Sequence, residues 1–146
     1  MITFLKPEEQ HQHKNGGGWV ANTAKVDEPA YIGPNALVYG NARVYGNAQV
    51  SGNARVYGDA RVSGNAQVSG AALVSGDVWE TSPLYIQGSK HAITNSAYGK
   101  LAIGCEIHTF AEWKKNYKAI GKANGYTPEQ IKEYGLHIAY VIKVGK

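Results

Sequence analysis

Val38-Tyr39-Gly40-Asn41-Ala42-Arg43-Val44-Tyr45-Gly46-Asn47-Ala48-Gln49-Val50 decides the reading of this chain. Two hexads stand there in register, each an aliphatic, Tyr, Gly, Asn, Ala and a long polar residue. Followed outward, the aliphatic recurs without insertion at Val20, Val26, Ile32, Val38, Val44, Val50, Val56, Val62, Val68 and Val74. A fixed internal period outranks other sequence signals, because it dictates how neighbouring units stack. Six residues are too few for a helix pair and too many for one strand. They suit a short strand followed by a tight turn, repeated as a parallel β-solenoid. From Val38 onward Gly stands two places past the aliphatic, and Asn or Asp usually three past it. Asn and Asp tolerate the left-handed backbone better than other side chains, so the Asn/Asp place is expected to form the turn. The aliphatic and the Ala two residues before it point to one side of an alternating strand. The expected core is therefore narrow and lined by Val and Ala.

The flanks read differently. Residues 1–19 form an irregular lead, in which His11-Gln12-His13 and Gly16-Gly17-Gly18 read as flexible loop and Trp19 as the first packing residue. Residues 20–79 are the repeat, and residues 80–146 a small α+β cap. In the cap, Leu84-Tyr85-Ile86, His91-Ala92-Ile93-Thr94 and Leu101-Ala102-Ile103 read as short strands, with a turn from Asn95 to Gly99. Thr109-Phe110-Ala111-Glu112 and Thr127-Pro128-Glu129-Gln130 each have the form of a capping box that opens a helix. Phe110, Trp113, Tyr117 and Ile120 recur at helical spacing in the first helix; Ile131, Tyr134, Ile138, Val141 and Ile142 do so in the second. Gly125 ends the first helix, and Gly135 weakens the second.

Charge separates the halves. Residues 1–79 hold six Lys/Arg and six Asp/Glu, whereas residues 80–146 hold nine Lys and five Glu. A basic region favours anionic partners, although lysines on a helix face are commonly just solvated. Trp113 and Tyr117 fall on one helix face and most of the lysines on the other. That is an amphipathic helix rather than a base-stacking platform, so a nucleic-acid partner is not expected. The single Cys105 allows no intrachain disulfide and suits a reducing cytoplasm. The first residues lack the pattern of a signal peptide, and no segment reads as a membrane span.

Ile32-Gly33-Pro34-Asn35-Ala36-Leu37 and its neighbours resemble the hexapeptide-repeat superfamily of left-handed parallel β-helices. The resemblance covers about 60 of 146 residues. It implies a triangular prism of about three coils with three hexads each, and members of this superfamily usually trimerise with ligand sites between prisms. Residues eighteen apart would then stack in files. One file is Lys25, Arg43, Arg61 and Trp79. A second is Tyr31, Gln49 and Gln67. The third is Leu37, Arg55 and Leu73, with Tyr39 and Tyr57 beside it. Leu and Tyr stacked on an outer face suggest a homotrimer contact through Leu37, Tyr39, Tyr57 and Leu73. Like charges at strand spacing repel, and an anion between them would relieve that repulsion.

The superfamily's acyltransferases use a His base on or beside the prism, and its carbonic anhydrase branch uses three His ligands. Residues 20–79 contain no His, so neither role has a residue to land on within the repeat. His11 and His13 read as loop, and His137 as an ordinary helix residue. His91 and His108 lie at element ends in the basic half. Cys105 and His108 have the types of a nucleophile–base pair, but a lone Cys is more often a small buried hydrophobe. No cofactor motif or metal-ligand set is read. The helix opening at Thr109 offers free amides to an anion beside Lys90, His91 and Lys114, unless its own capping box satisfies them. The tail, through Gly104-Cys105, His108-Thr109, Trp113, Tyr117, Gly125-Tyr126 and Glu133-Tyr134, resembles tails of short hexapeptide-repeat proteins encoded by bacterial viruses and prophages. That resemblance implies a role such as sequestering a host nucleotide signal in the host cytoplasm.

The expectation is a non-enzymatic oligomeric protein that binds an anionic small molecule, such as a nucleotide. Lys25, Arg43, Tyr45, Arg61, Lys90, His91 and His108 are the candidate binding residues, with Tyr45 placed to stack on a base. The alternatives are an acyltransferase with its base at His91 or His108, and a structural oligomerisation module.

Overall fold

The regular hexads place one aliphatic and one Ala on the same side of the chain, and from Ala30 to Val74 both end up inside. Val20, Val38, Val44, Val50, Val56, Val62 and Val74 are completely buried, as are Ile32 and the alanines from Ala30 to Ala60. Burying one such aliphatic contributes roughly 1.5–3 kcal/mol, so regular repetition makes a stable narrow core. The computed structural model describes residues 1–146 and divides into two compact units, Met1–Pro83 and Leu84–Lys146.

The first unit is a β-solenoid of about three turns built from very short strands. In chain order these are β1 (Gln10–Gln12), β2 (Trp19–Ala21), β3 (Lys25–Val26), β4 (Tyr31–Ile32), β5 (Leu37–Val38) and β6 (Arg43–Val44). They continue with β7 (Gln49–Val50), β8 (Arg55–Val56), β9 (Arg61–Val62), β10 (Gln67–Val68), β11 (Leu73–Val74) and β12 (Val78–Trp79). They form three sheets, ordered β1-β2-β5-β8-β11, β4-β7-β10 and β3-β6-β9-β12. All pairs between solenoid strands are parallel, and only β1 runs antiparallel, against β2. Three sheets make three faces, so residues eighteen apart do stack: Trp19, Leu37, Arg55 and Leu73 in one file; Tyr31, Gln49 and Gln67 in another.

Two details differ from the expected turn chemistry. The left-handed residue of the regular turns is Gly, not the following Asn. Gly40, Gly46, Gly52, Gly58, Gly64 and Gly70 have φ between 60° and 66°. Gly lacks the Cβ that penalises this backbone region, so it takes the position and leaves Asn in an ordinary conformation. The last turn breaks this rule. There Asp77 carries the positive φ of 66°, the inward Ala place is missing, and the hexad is one residue short. Val78 therefore pairs with Arg61 and Trp79 with Val62. Trp79 does not complete the Lys25–Arg43–Arg61 file; it turns inward, is 2% exposed, and donates its indole N–H to the Gly76 carbonyl at 2.8 Å.

The lead closes the first coil rather than hanging from it. Unpaired strand edges invite aggregation, and folded proteins cover them. Residues 15–18 act as an extra rung on β4: Gly18 N–H donates to the Ile32 carbonyl at 2.9 Å, and Ile32 N–H to the Asn15 carbonyl at 3.0 Å. A Cβ on Gly18 would lie 2.3 Å from the Ile32 side chain, so this approach needs glycine. His13, expected in a flexible loop, is 8% exposed and its Nε2 lies 2.8 Å from the Ala30 carbonyl. Ile2 is fully buried, and Gln10 holds its backbone at both N–H and C=O.

The second unit is an antiparallel meander with two helices. Its strands are β13 (Tyr85–Gln87), β14 (Ala92–Ala97), β15 (Lys100–Ile103) and β16 (Glu106–Thr109), paired in that order. The helices are α1 (Phe110–Ala123) and α2 (Pro128–Val144). Both capping boxes form. Thr109 Oγ1 accepts from Glu112 N–H at 3.2 Å while the Glu112 carboxylate accepts from Thr109 N–H at 2.9 Å, and Thr127 with Gln130 repeats the exchange. The core joins Ile93, Leu101 and Ile103 of the sheet to Trp113, Tyr134, Ile138 and Val141 of the helices.

Asn95, expected in a turn, sits inside β14 and is 1% exposed. Its amide nitrogen donates to the carbonyls of Ala97, Lys100 and Lys146, and its oxygen accepts from Lys146 N–H at 2.8 Å. Gly135 is likewise more than a weak point in α2, because a Cβ there would lie 2.7 Å from the Tyr117 ring of α1. No helix is long and apolar enough to cross a membrane.

Candidate functional site

Lys25, Arg43 and Arg61 occupy successive rungs of one sheet, in register. Adjacent parallel strands lie about 4.8 Å apart, so the three cations span roughly 10 Å of solenoid face. Lys25 and Arg61 are exposed and Arg43 is half-buried. The ion pairs of the chain lie elsewhere, at Lys14–Glu28 and around His108 and His137. Arg43 donates from Nη1 to the Tyr45 hydroxyl at 3.3 Å, which holds the guanidinium beside a half-buried ring. Asp27, two residues after Lys25, spends its carboxylate on Gly46 N–H at 3.0 Å. The file is therefore a row of cations without acidic partners, closed at its far end by Val78 in the place expected for Trp79.

On the third face, Tyr39 and Tyr57 stack with ring centres 5.1 Å apart and planes at 10°, and Phe4 meets Tyr39 edge-on at 5.1 Å. Burial and the neighbouring Tyr39 push the Tyr57 hydroxyl above its ordinary pKa. The lead thus already covers part of the aromatic surface expected to be free.

Lys90, His91 and His108 belong to the second unit, whereas Lys25, Arg43, Tyr45 and Arg61 belong to the first. Each of the three is engaged. Lys90 donates to the Asn124 and Gly125 carbonyls at 3.2 Å each and lies 4.7 Å from the centre of the Tyr126 ring. It satisfies the open carbonyls at the end of α1, where a cation is favoured. His91 Nδ1 is 2.7 Å from the Tyr126 hydroxyl. His108 Nε2 is 2.7 Å from Glu106 and its Nδ1 is 3.7 Å from Glu112, with the ring edge-on to Trp113. At the start of α1 the capping box takes the Thr109 and Glu112 amides and the Gly99 carbonyl takes that of Phe110, which leaves little there for an anion.

A cavity of about 150 Å³ opens in this unit between α1, α2 and the end of the β15–β16 hairpin. Trp113, Tyr117, Ile120, Ile131 and Tyr134 form its walls, and His91, Cys105, Glu106, Asn124 and Tyr126 stand among its polar lining. Gly104 and Cys105 make the two-residue hairpin turn at the mouth. Gly104 carries φ 58° and Cys105 does not, the pattern of a turn with Gly at its first central place. Cys105 is an exposed free thiol. Hydrogen bonds from His108 and Asn124 hold the Glu106 carboxyl below its usual pKa. Burial, then the nearby Tyr134, pushes the Tyr126 hydroxyl up to about 12, so it stays protonated. His91 was legible as a candidate from its place at a strand start. Glu106, Asn124 and Tyr126 were not, because they meet only once the hairpin and the α1–α2 turn close on each other.

The family model for the YdcK beta solenoid repeat matches residues 36–52, 48–64 and 54–70. These matches fall within the central hexads, and with the three sheets they establish a hexapeptide-repeat-like solenoid. No curated protein and no solved structure matches the chain.

Proposed function

We propose that this chain is a non-enzymatic binding protein whose solenoid face holds a polyanionic small molecule, of the chemistry of a nucleotide's phosphate chain. One observation carries the reading: Lys25, Arg43 and Arg61 stack in register on β3, β6 and β9 without a carboxylate partner. Like charges at about 5 Å repel one another, and a multivalent anion between them replaces that repulsion with attraction. Arg adds a planar fork that meets two phosphate oxygens at once. Tyr45, held by Arg43, offers a ring on which a base would stack. The acyl-transfer alternative would draw its base from His91 or His108. Both belong to the second unit, bonded to Tyr126 and Glu106, so binding is the reading we keep.

Calorimetry with nucleoside di- and triphosphates and with inorganic tripolyphosphate tests this. Wild type should release heat that falls steeply with added salt, and Arg43→Ala/Arg61→Ala should lose it. Absence of heat from every polyanion would contradict the reading.

A second reading rests on the stacked Tyr39 and Tyr57 beside half-buried Leu37 and Leu73. We propose that this face contacts further copies of the chain in a homotrimer. Light scattering at the mass of a single chain would contradict it.

A further inference from the structure

We propose that the cavity between α1, α2 and the β15–β16 hairpin binds a neutral, planar, single-ring aromatic or heteroaromatic molecule that carries a hydrogen-bond donor on its edge. The argument begins with size. Protein interiors pack to the density of organic crystals and leave few voids larger than a water molecule. A space of about 150 Å³ is far above that level. It is close to the volume of an engineered apolar cavity that stays dry and accepts benzene. Shape and chemistry narrow the occupant further. Trp113, Tyr117 and Tyr134 present rings, and Ile120 and Ile131 present branched aliphatics, so the interior favours a flat apolar body. His91, Cys105, Glu106, Asn124 and Tyr126 supply the polar part of the lining. His91 directs Nδ1 to Tyr126, which leaves Nε2 for a ligand, while the Glu106 oxygens accept hydrogen bonds. Glu106 stays ionised near neutrality, because His108 and Asn124 bond to its charged form. The Glu106 carboxylate in the lining welcomes a donor and disfavours an anion, while the nearby Lys90 ammonium is already spent on the Asn124 and Gly125 carbonyls. The ligand is therefore of a different class from the polyanion proposed for the solenoid face, and the two proposals stand or fall separately.

Nitrogen-15 NMR titration of the full chain tests the inference with three probes: phenol, benzoate and cyclohexanol. Phenol should give saturable shifts at the Trp113 indole N–H and the Gly121 and Asn124 amides. Benzoate, an anion of similar size, should bind about tenfold more weakly, the cost of one unfavourable interaction of about 1.4 kcal/mol. Cyclohexanol, which is not flat, should be weaker than phenol. Ile131→Trp fills the cavity and should abolish the phenol shifts. Glu106→Gln leaves the walls intact and should bring benzoate close to phenol. The inference is overturned if phenol gives no saturable shift in a chain whose Trp113 signal reports a folded unit. It is equally overturned if Glu106→Gln leaves the preference for phenol over benzoate unchanged.

Discussion

Trp79 stands beside Val62, not beside Arg61. The eighteen-residue step that builds every other rung is shortened to seventeen at β12, because Asp77 turns the chain where Gly turned it before. The consequence is a large ring at the end of a core otherwise made of Val and Ala, and a Val on the surface where the file of cations ends.

This register makes adjacent residues behave oppositely. Val78 is 43% exposed and Trp79 2%. Val78→Lys should change stability by no more than about 0.5 kcal/mol. Trp79→Ala should cost about 3–5 kcal/mol, through lost burial and the cavity it leaves. Urea unfolding of both variants checks this, and the reverse order would mean that the repeat continues unbroken.

Asn95 ties the end of β14 to Lys146 through both its amide atoms. Asn95→Ala removes one buried hydrogen bond, to the Ala97 carbonyl, and part-buried ones to Lys100 and Lys146. A buried group left unsatisfied costs about 1–3 kcal/mol, and a loss of that size is expected in denaturant unfolding. Asn95→Asp keeps the acceptor and loses the donors, so it too should destabilise the unit. Stability unchanged in both variants would contradict the role assigned to this side chain.

Acid and alkali should each weaken the second unit. The Glu133 carboxylate accepts from the Ser89 hydroxyl, from Ser89 N–H at 3.0 Å and from His137 at 3.0 Å, and lies below its ordinary value of 4.5. A lowered folded pKa gives stability that is present above about 4.5 and disappears as pH falls through the folded value. Tyr126 has the opposite sign. Its folded pKa is raised from 10.0 to about 12, so its contribution is complete below 10.0 and fades as pH rises toward 12, where the unfolded phenol ionises first. Denaturant midpoints across pH should fall at both ends, and Glu133→Gln should flatten the acid limb. An acid limb unchanged by Glu133→Gln would refute the assignment.

The solenoid was legible because its signal is repeated. One hexad is ambiguous, but ten in phase fix which residues point inward and which stack. The helix starts were legible for a local reason, since each capping box closes within four residues. What escaped the sequence was set by contacts distant along the chain. Ser75-Gly76-Asp77 has the residue types of the regular turns, and the shortening shows only just beyond it, where Val78 stands in the Ala place and Glu80 in the aliphatic place. Asn95 reads as a turn residue until Lys146 is placed against it, 51 positions away. Strand β16 escaped because Glu106-Ile107-His108-Thr109 abuts a helix start with no break.

The central claim is that stacking, not overall charge, makes the Lys25–Arg43–Arg61 file an anion site. It is tested most directly by calorimetry with inorganic tripolyphosphate on two variants of equal net charge. One is Arg43→Gln/Arg61→Gln on the solenoid; the other is Lys115→Gln/Lys118→Gln on the exposed face of α1. The account predicts that the first weakens binding by about a hundredfold, roughly tenfold for each lost contact, and that the second leaves it nearly unchanged. Equal losses in the two variants would show that tripolyphosphate responds only to total charge, and would contradict it.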